Sequence, residues 1–223
     1  MGLADYSLAM RKKVIELRPG DARGRVIVIF DDGAHVEIDR VMIEKAGICV
    51  GREIDSDNLE SSVKEDNFEK CYEAALHFLE YRARSEEEVK RHLLLKRKFD
   101  SESVARSINN LKEVNLINDG AFAESWTKDR ISFKPKSRLM IKRELLQKGV
   151  DHETASKVTD DIDDGESAYN AGIKKAKLIR NLEYPEFYKR LAAYLGRRGY
   201  SGDVVHGAVT RLWGYIREDL SAK

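Results

Sequence analysis

The sequence predicts a mainly α chain: three tandem three-helix repeats in a curved array, preceded by a small N-terminal β-hairpin/α module. Three observations carry this. A unit of about 50 residues recurs, with anchors Val89, Ile141 and Leu191 standing 52 and then 50 positions apart. Within each unit, apolar residues keep the same offsets from a helix cap: Val104, Ala155 and Val205 lie four positions after Asp100, Asp151 and Ser201, and Leu111, Ile162 and Leu212 lie eleven after. Near the N-terminus an Asp-Gly step separates two β-branched runs. Repetition at this period means stacked units that present one long surface, which suits a long partner better than a small substrate.

The N-terminal module comes first. Residues 13–18 and 25–30 read as strands, and Asp31-Asp32-Gly33 as the turn into Ala34–Ile38. Glycine accepts the positive φ of such a turn, so Asp31 and Asp32 are turn residues rather than a catalytic pair. Asp39 should cap a short helix through Ala46, with Gly47 ending it. A further helix starting at Ser56 or Asp57 carries Leu59, Val63 and Phe68.

Each repeat reads as three helices. In the first, residues 72–83 place Ala75, Leu76 and Leu79 on one stripe. Ser85 opens the middle helix with Glu88 three positions on, a capping box in which hydroxyl and carboxylate each satisfy an orphan amide. Asp100 caps the third helix. In the second repeat Phe122, Ala123 and Trp126 form the first apolar face, Pro135 and Ser137 break the chain, Ile141 and Leu145 follow, and Gly149 stops the helix before the cap Asp151, with Ala155, Val158 and Ile162 turned inward. In the third, Tyr169, Ile173 and Ala176 precede Pro185 at a helix start, Leu191 and Leu195, the stop Gly199 and the cap Ser201. The first middle helix has one extra residue before its cap, and Lys98 stands where the later repeats have glycine. The expected divisions are 1–70 for the N-terminal module and 71–117, 118–165 and 166–223 for the repeats. Trp126 and Trp213 are expected in the core or between units.

Composition narrows the function. Charged residues make up 35% of the 223, above the roughly 25% of an average domain, as suits small helical units with much surface. The net charge of +1 does not imply a simple electrostatic glue for nucleic acid. The balance is uneven, however: residues 128–148 hold eight Lys/Arg against two Asp/Glu. Cys49 and Cys71 have no disulfide or metal spacing and are expected as idle thiols. The N-terminus lacks an apolar run for a signal peptide, and Tyr6 breaks the myristoylation pattern that Gly2 would begin. No stretch approaches the ~20 apolar residues of a membrane span, so a cytoplasmic location without membrane contact is expected.

The segment Ala74–Val89, with its Arg84-Ser85 entry to the capping box, continues through Leu111–Asp119, with its Asn-Asp turn, and Phe122-Ala123. It closes with the basic helix Lys142–Val150, which ends in Lys-Gly. In this order the residues resemble the RecX family of recombination regulators. The resemblance is strong over 72–165 and in register over 166–217, and the hairpin at 25–38 fits the N-terminal module of longer members. It implies a crescent of three three-helix repeats that binds the RecA recombinase, lodges in the groove of its filament on single-stranded DNA, and restrains its ATPase, strand-exchange and co-protease activities. The implied setting is DNA repair and the SOS response, with a monomer expected.

The candidate contact residues lie on or near the middle helices: Lys90, Arg91 and Arg97 in the first repeat; Lys134, Lys136, Arg138, Lys142, Arg143 and Lys148 in the second; Lys189, Arg190, Arg197 and Arg198 in the third. Lys and Arg supply charge and donors to phosphates without reading sequence. Such residues also serve as ordinary solvated faces balanced by Glu86, Glu87, Glu88 and Glu144. In the third repeat Ala192-Ala193 replaces the basic pair of the first two.

Catalytic chemistry is poorly supported. The sequence has no glycine-rich phosphate loop and no nucleophile elbow, and its five histidines are scattered, so no cofactor, metal or enzymatic activity is expected. Asp160–Gly165 is superficially a calcium loop, but Ile162 and Ala171 occupy positions that need oxygen ligands. Rival readings are a helical-repeat regulator acting on DNA directly, which three-helix units also permit, and an adaptor for an unrelated helical protein.

Overall fold

The computed structural model describes residues 11–221. The reading of Gly2 and Tyr6, and the outer ends of the first and last expected divisions, lie outside the described residues. The chain falls into two compact units. One holds the chain up to Tyr81 together with Lys90–Glu113; the other holds Arg82–Val89 and the chain from Val114 onward.

The first unit begins with strands β1 (Arg11–Pro19), β2 (Arg25–Phe30) and β3 (His35–Asp39), then helix α1 (Arg40–Ala46) and strand β4 (Glu53–Asp55). The sheet is antiparallel in the order β3-β2-β1-β4. The expected hairpin is therefore the edge of a four-stranded sheet; β4 has only three residues, too few for alternation to show in the sequence. Asp32 accepts from the Ala34 amide at 2.9 Å, as a turn residue should, while Gly33 takes φ 82°. Asp39 caps α1 and Gly47 ends it with a left-handed backbone, both as expected. Val14, Val28, Phe30, Ile38, Met42, Ile43, Ile48 and Ile54 form the core of the module.

Helix α2 runs unbroken from Ser56 to Leu79, and Asp55 is its cap. Two separate helices were expected here, with the second reaching residue 83. No proline or glycine interrupts 56–79, so nothing stops the helix between the two apolar stretches. The division at 70/71 thus falls inside α2. Buried Asp66, midway along it, accepts from Arg25 at 2.7 and 3.0 Å and from the Asp39 amide at 3.0 Å, and pairs with Lys70 at 2.9 Å. Burial works against its ionisation, but these bonds outweigh burial and the pKa is lowered. Further along, Phe68, Cys71 and Ala75 are buried, as are Val104, Ile108 and Leu111 of the packed helix α4 (Ser101–Glu113). Cys49 is exposed and Cys71 buried, both free.

Helix α3 (Glu86–Arg91) continues into a π-helical turn, His92–Lys96. That turn absorbs the extra residue seen in the sequence, since a one-residue insertion widens a helical turn from i→i+4 to i→i+5 bonding: the Arg97 amide bonds the His92 carbonyl at 3.1 Å. Lys98 then takes the left-handed conformation (φ 59°) that Gly149 and Gly199 take later.

In the second unit, α5 (Asp119–Phe133), α6 (Arg138–Gln147) and α7 (His152–Thr159) form the second repeat around Phe122, Ala123, Ile141, Leu145, Val150 and Ala155. Helix α7 is shorter than expected: Ile162 packs on this core from beyond its end, because Asp163 already caps the next helix by accepting from Gly165 and Glu166. The Asp160–Gly165 run is thus a helix end and a cap. Helices α8 (Asp164–Leu178), α9 (Tyr184–Gly196) and α10 (Gly202–Ser221) form the third repeat around Ala168, Phe187, Leu191, Leu195, Val209, Leu212 and Ile216. Trp126 and Trp213 each pack at the edge of their repeat's core.

Candidate functional site

The site is built on the middle helices and the ends that join them. Ser85 and Glu88 form the expected box: the Glu88 amide donates to the Ser85 hydroxyl at 3.2 Å, and the Ser85 amide to the Glu88 carboxylate at 3.4 Å. Ser137 caps α6 through the Met140 amide at 3.2 Å. Both serines are buried, although a cap needs no burial, because each also joins its helix to the next repeat.

Corresponding residues meet at two junctions, through a serine hydroxyl at the first and a serine amide at the second. The Ser85 hydroxyl donates to the Lys148 carbonyl at 2.5 Å; one repeat on, the Ser137 amide donates to the Arg198 carbonyl at 3.1 Å. The Glu86 amide donates to Asp119 at 2.8 Å, and the Arg138 amide to Asp164 at 2.7 Å. Gly149 and Gly199 complete the two junctions. A Cβ at Gly149 would overlap the Glu87 side chain, and one at Gly199 would stand 2.7 Å from the Ser137 hydroxyl oxygen. These glycines do more than stop a helix: they let the preceding cap approach. Sequence reasoning missed Asp119 and Asp164, yet the signal was present. Each directly follows the cap of its repeat's first helix, in Asn118-Asp119 and Asp163-Asp164.

The candidate cations divide into two groups. Lys148 donates to Glu88 at 2.8 Å and lies 4.3 Å from the Trp126 ring centre, while Arg82 holds Glu88 from the other side at 2.9 Å. Burial alone would raise the Glu88 pKa, but the bonds from Arg82 and Lys148 outweigh it and bring it from 4.5 to about 2. Lys136 donates to Glu144, which also accepts from Arg130 at 2.6 Å and from the Trp126 indole at 3.0 Å. Lys136 is therefore a structural cation turned onto its own repeat, and Lys148 one that reaches back to the capping box at Ser85–Glu88. Arg190 pairs with Glu186 at 2.7 Å on the surface of α9, and Arg198 lies over the Tyr194 ring at 3.8 Å. Lys90, Arg91, Arg97, Lys134, Arg138, Arg143, Lys189 and Arg197 are exposed, and Lys142 is half-buried.

Among the described residues no group of three or more His, Cys, Asp or Glu is arranged to hold a metal ion, and no helix is long and apolar enough to cross a membrane. The arrangement suits charge-assisted contact along helix faces.

A chain of three-helix repeats with corresponding serine and glycine positions at successive helix ends is a tandem helical-repeat protein. Its three repeats match the family models for the first, second and third three-helix domains of RecX, over residues 71–111, 118–158 and 162–209. Regulatory protein RecX of Clostridium perfringens strain SM101 is 32% identical over 193 residues, covering 84% of this chain and 90% of the relative. That of Clostridium beijerinckii is 30% identical over 199 residues, covering 86% and 92%. A crystal structure of regulatory protein RecX shares the fold at a TM-score of 0.61 and 21% identity, over 87% of this chain and 97% of that one. RecX from Lactobacillus salivarius aligns at a TM-score of 0.58 and 26% identity, over 66% and 97%. The chain belongs to the RecX family of regulatory proteins.

Proposed function

We propose that this protein binds the RecA recombinase filament on single-stranded DNA and modulates it, mostly by inhibiting its ATPase, strand-exchange and co-protease activities, in the cytoplasmic setting of DNA repair and the SOS response. The observation that carries this is the pair of corresponding junctions at Ser85–Lys148 and Ser137–Arg198. Corresponding residues reused at successive helix ends mark a tandem array, which suits a partner that is itself a repeating polymer. Exposed Arg138 and Arg143 and half-buried Lys142 supply charge for phosphates or for acidic recombinase surface. Lys90, Arg91 and Arg97 supply the same chemistry on the first repeat, and Lys189 and Arg197 on the third. The mechanism is mechanical: a protein that engages several recombinase subunits at once resists the movements that accompany nucleotide turnover. Titrating the protein into RecA on single-stranded DNA tests this through ATP hydrolysis. Hydrolysis should fall as protein is added; unchanged hydrolysis, with no filament association at low salt, refutes the proposal.

A further inference from the structure

We propose that the outward face of α6 docks on protein: Leu139 and Leu146, flanked by Lys142 and Arg143, seat on an acidic protein surface that has an apolar recess, rather than on nucleic-acid phosphates. This rests on the filament reading above and says which component of the filament this face meets.

Helix α6 is apolar on two opposite faces. Ile141 and Leu145 are fully buried in the core of the second repeat. Leu139 and Leu146, seven positions apart and so nearly in line along the helix, are 53% and 38% exposed. At 100° per residue, Lys142 and Arg143 fall on either side of the line joining the two leucines. The one carboxylate of this helix, Glu144, is turned to Trp126, Arg130 and Lys136. The outward face therefore presents an apolar stripe between two cations, with no acid of its own helix to neutralise it.

Phosphate recognition needs the cations alone. Apolar side chains ringed by charge are the anatomy of a protein–protein contact, in which the centre is desolvated and the rim stays polar. The charge selects an acidic partner. The other middle helices do not carry this combination: Glu87 and Lys189 stand at the position of Leu139, and Gly196 at that of Leu146. The first repeat has Leu95, 70% exposed, on its π-helical turn, without a second leucine at the position of Leu139. Lys136 and Lys148, which would have strengthened a phosphate site, are held by Glu144 and Glu88.

The test compares the full chain with Leu139→Ser/Leu146→Ser and with Lys142→Ala/Arg143→Ala. The probes are fluorescein-labelled oligothymidylate, naked or coated with RecA and a non-hydrolysable ATP analogue. The leucine variant should lose about tenfold or more in affinity for the coated strand while binding naked strand as the wild type does. The cation variant should flatten the salt dependence. Leucine variants that bind the coated strand within twofold of wild type, or that lose naked-strand affinity equally, overturn the inference and leave the function standing. A wild-type protein that ignores the coated strand overturns both. Should the double serine variant melt early, Leu139→Gln alone, at the more exposed position, gives the same reading.

Discussion

The Ser85 hydroxyl bonds the carbonyl of Lys148, 63 positions away, and so ties the start of α3 to the end of α6. Lys148 in turn reaches back to Glu88 in the turn that Ser85 opens. Cap, helix stop and ion pair thus form one unit, and its parts fail differently when changed.

Gly149 combines φ 85° with no room for a Cβ against Glu87. Gly149→Ala should cost about 2 kcal/mol or more, from backbone strain plus a displaced junction. Gly196, at the end of α9, has open space around it and an ordinary backbone. Gly196→Ala should be neutral or stabilising by up to about 1 kcal/mol. Urea denaturation of the two variants beside wild type checks the contrast; equal effects would mean that neither the left-handed backbone nor the junction constrains Gly149.

The Glu88 carboxyl has a folded pKa of about 2 against an ordinary 4.5. A lowered folded pKa means that the stabilisation is fully present above pH 4.5 and drains away as pH falls toward 2. Between pH 6 and pH 3 the wild type should lose about 2 kcal/mol that Glu88→Gln does not. Trp213→Phe leaves Trp126 as the only indole, so its fluorescence reports unfolding of the second repeat alone. Parallel pH dependence in the two proteins would remove Glu88 from the account.

Lys148 and Arg143 lie five positions apart and should respond in opposite ways. Lys148→Ala leaves a partly buried Glu88 with Arg82 and the Ser85 amide and should destabilise the protein by about 1–3 kcal/mol. Arg143→Ala, at an exposed position, should change stability by less than about 0.5 kcal/mol yet weaken filament binding. Thermal melts and binding isotherms on both variants separate the roles. A stable Lys148→Ala protein with impaired binding would return Lys148 to the contact surface.

Lys98 adopts a left-handed backbone that costs a non-glycine residue roughly 1 kcal/mol. Lys98→Gly should therefore raise stability by about 0.5–1 kcal/mol, less glycine's added chain entropy. A lowered midpoint in urea would show that the lysine side chain earns its place through contacts.

Much of this was legible in the sequence because caps and stops are local. Ser85, Ser137, Asp151, Gly149 and Gly199 each announce a helix boundary through side-chain chemistry that acts within four residues. The four-stranded sheet was half visible: β2 and β3 are joined by a tight turn, whereas β4 pairs with a strand some 40 positions earlier in the chain. The junctions were harder. Asp119 reaches back 33 positions to the Glu86 amide, and no periodicity encodes such a reach. For the cations the sequence supplied charge without direction. Lys142 and Lys148 look alike in a basic helix, and only the placement of Glu88 and Trp126 shows that one of them is turned inward. The π-helical turn was foreshadowed by one surplus residue, although a count alone could not say where the helix would widen.

Helix α2 carries a practical lesson for anyone trimming this chain. It bears the clamp on the sheet at Asp66, and at Glu65 and Phe68 it receives Arg106 of α4, whose guanidinium lies 3.7 Å above the Phe68 ring. A version cut to begin at residue 71 would sever this rod midway and strip the first repeat of the wall on which Arg106 rests. The fragment would then be weakened for reasons unrelated to any role of the sheet in binding, so loss of activity on such a truncation would say nothing about what the N-terminal strands touch.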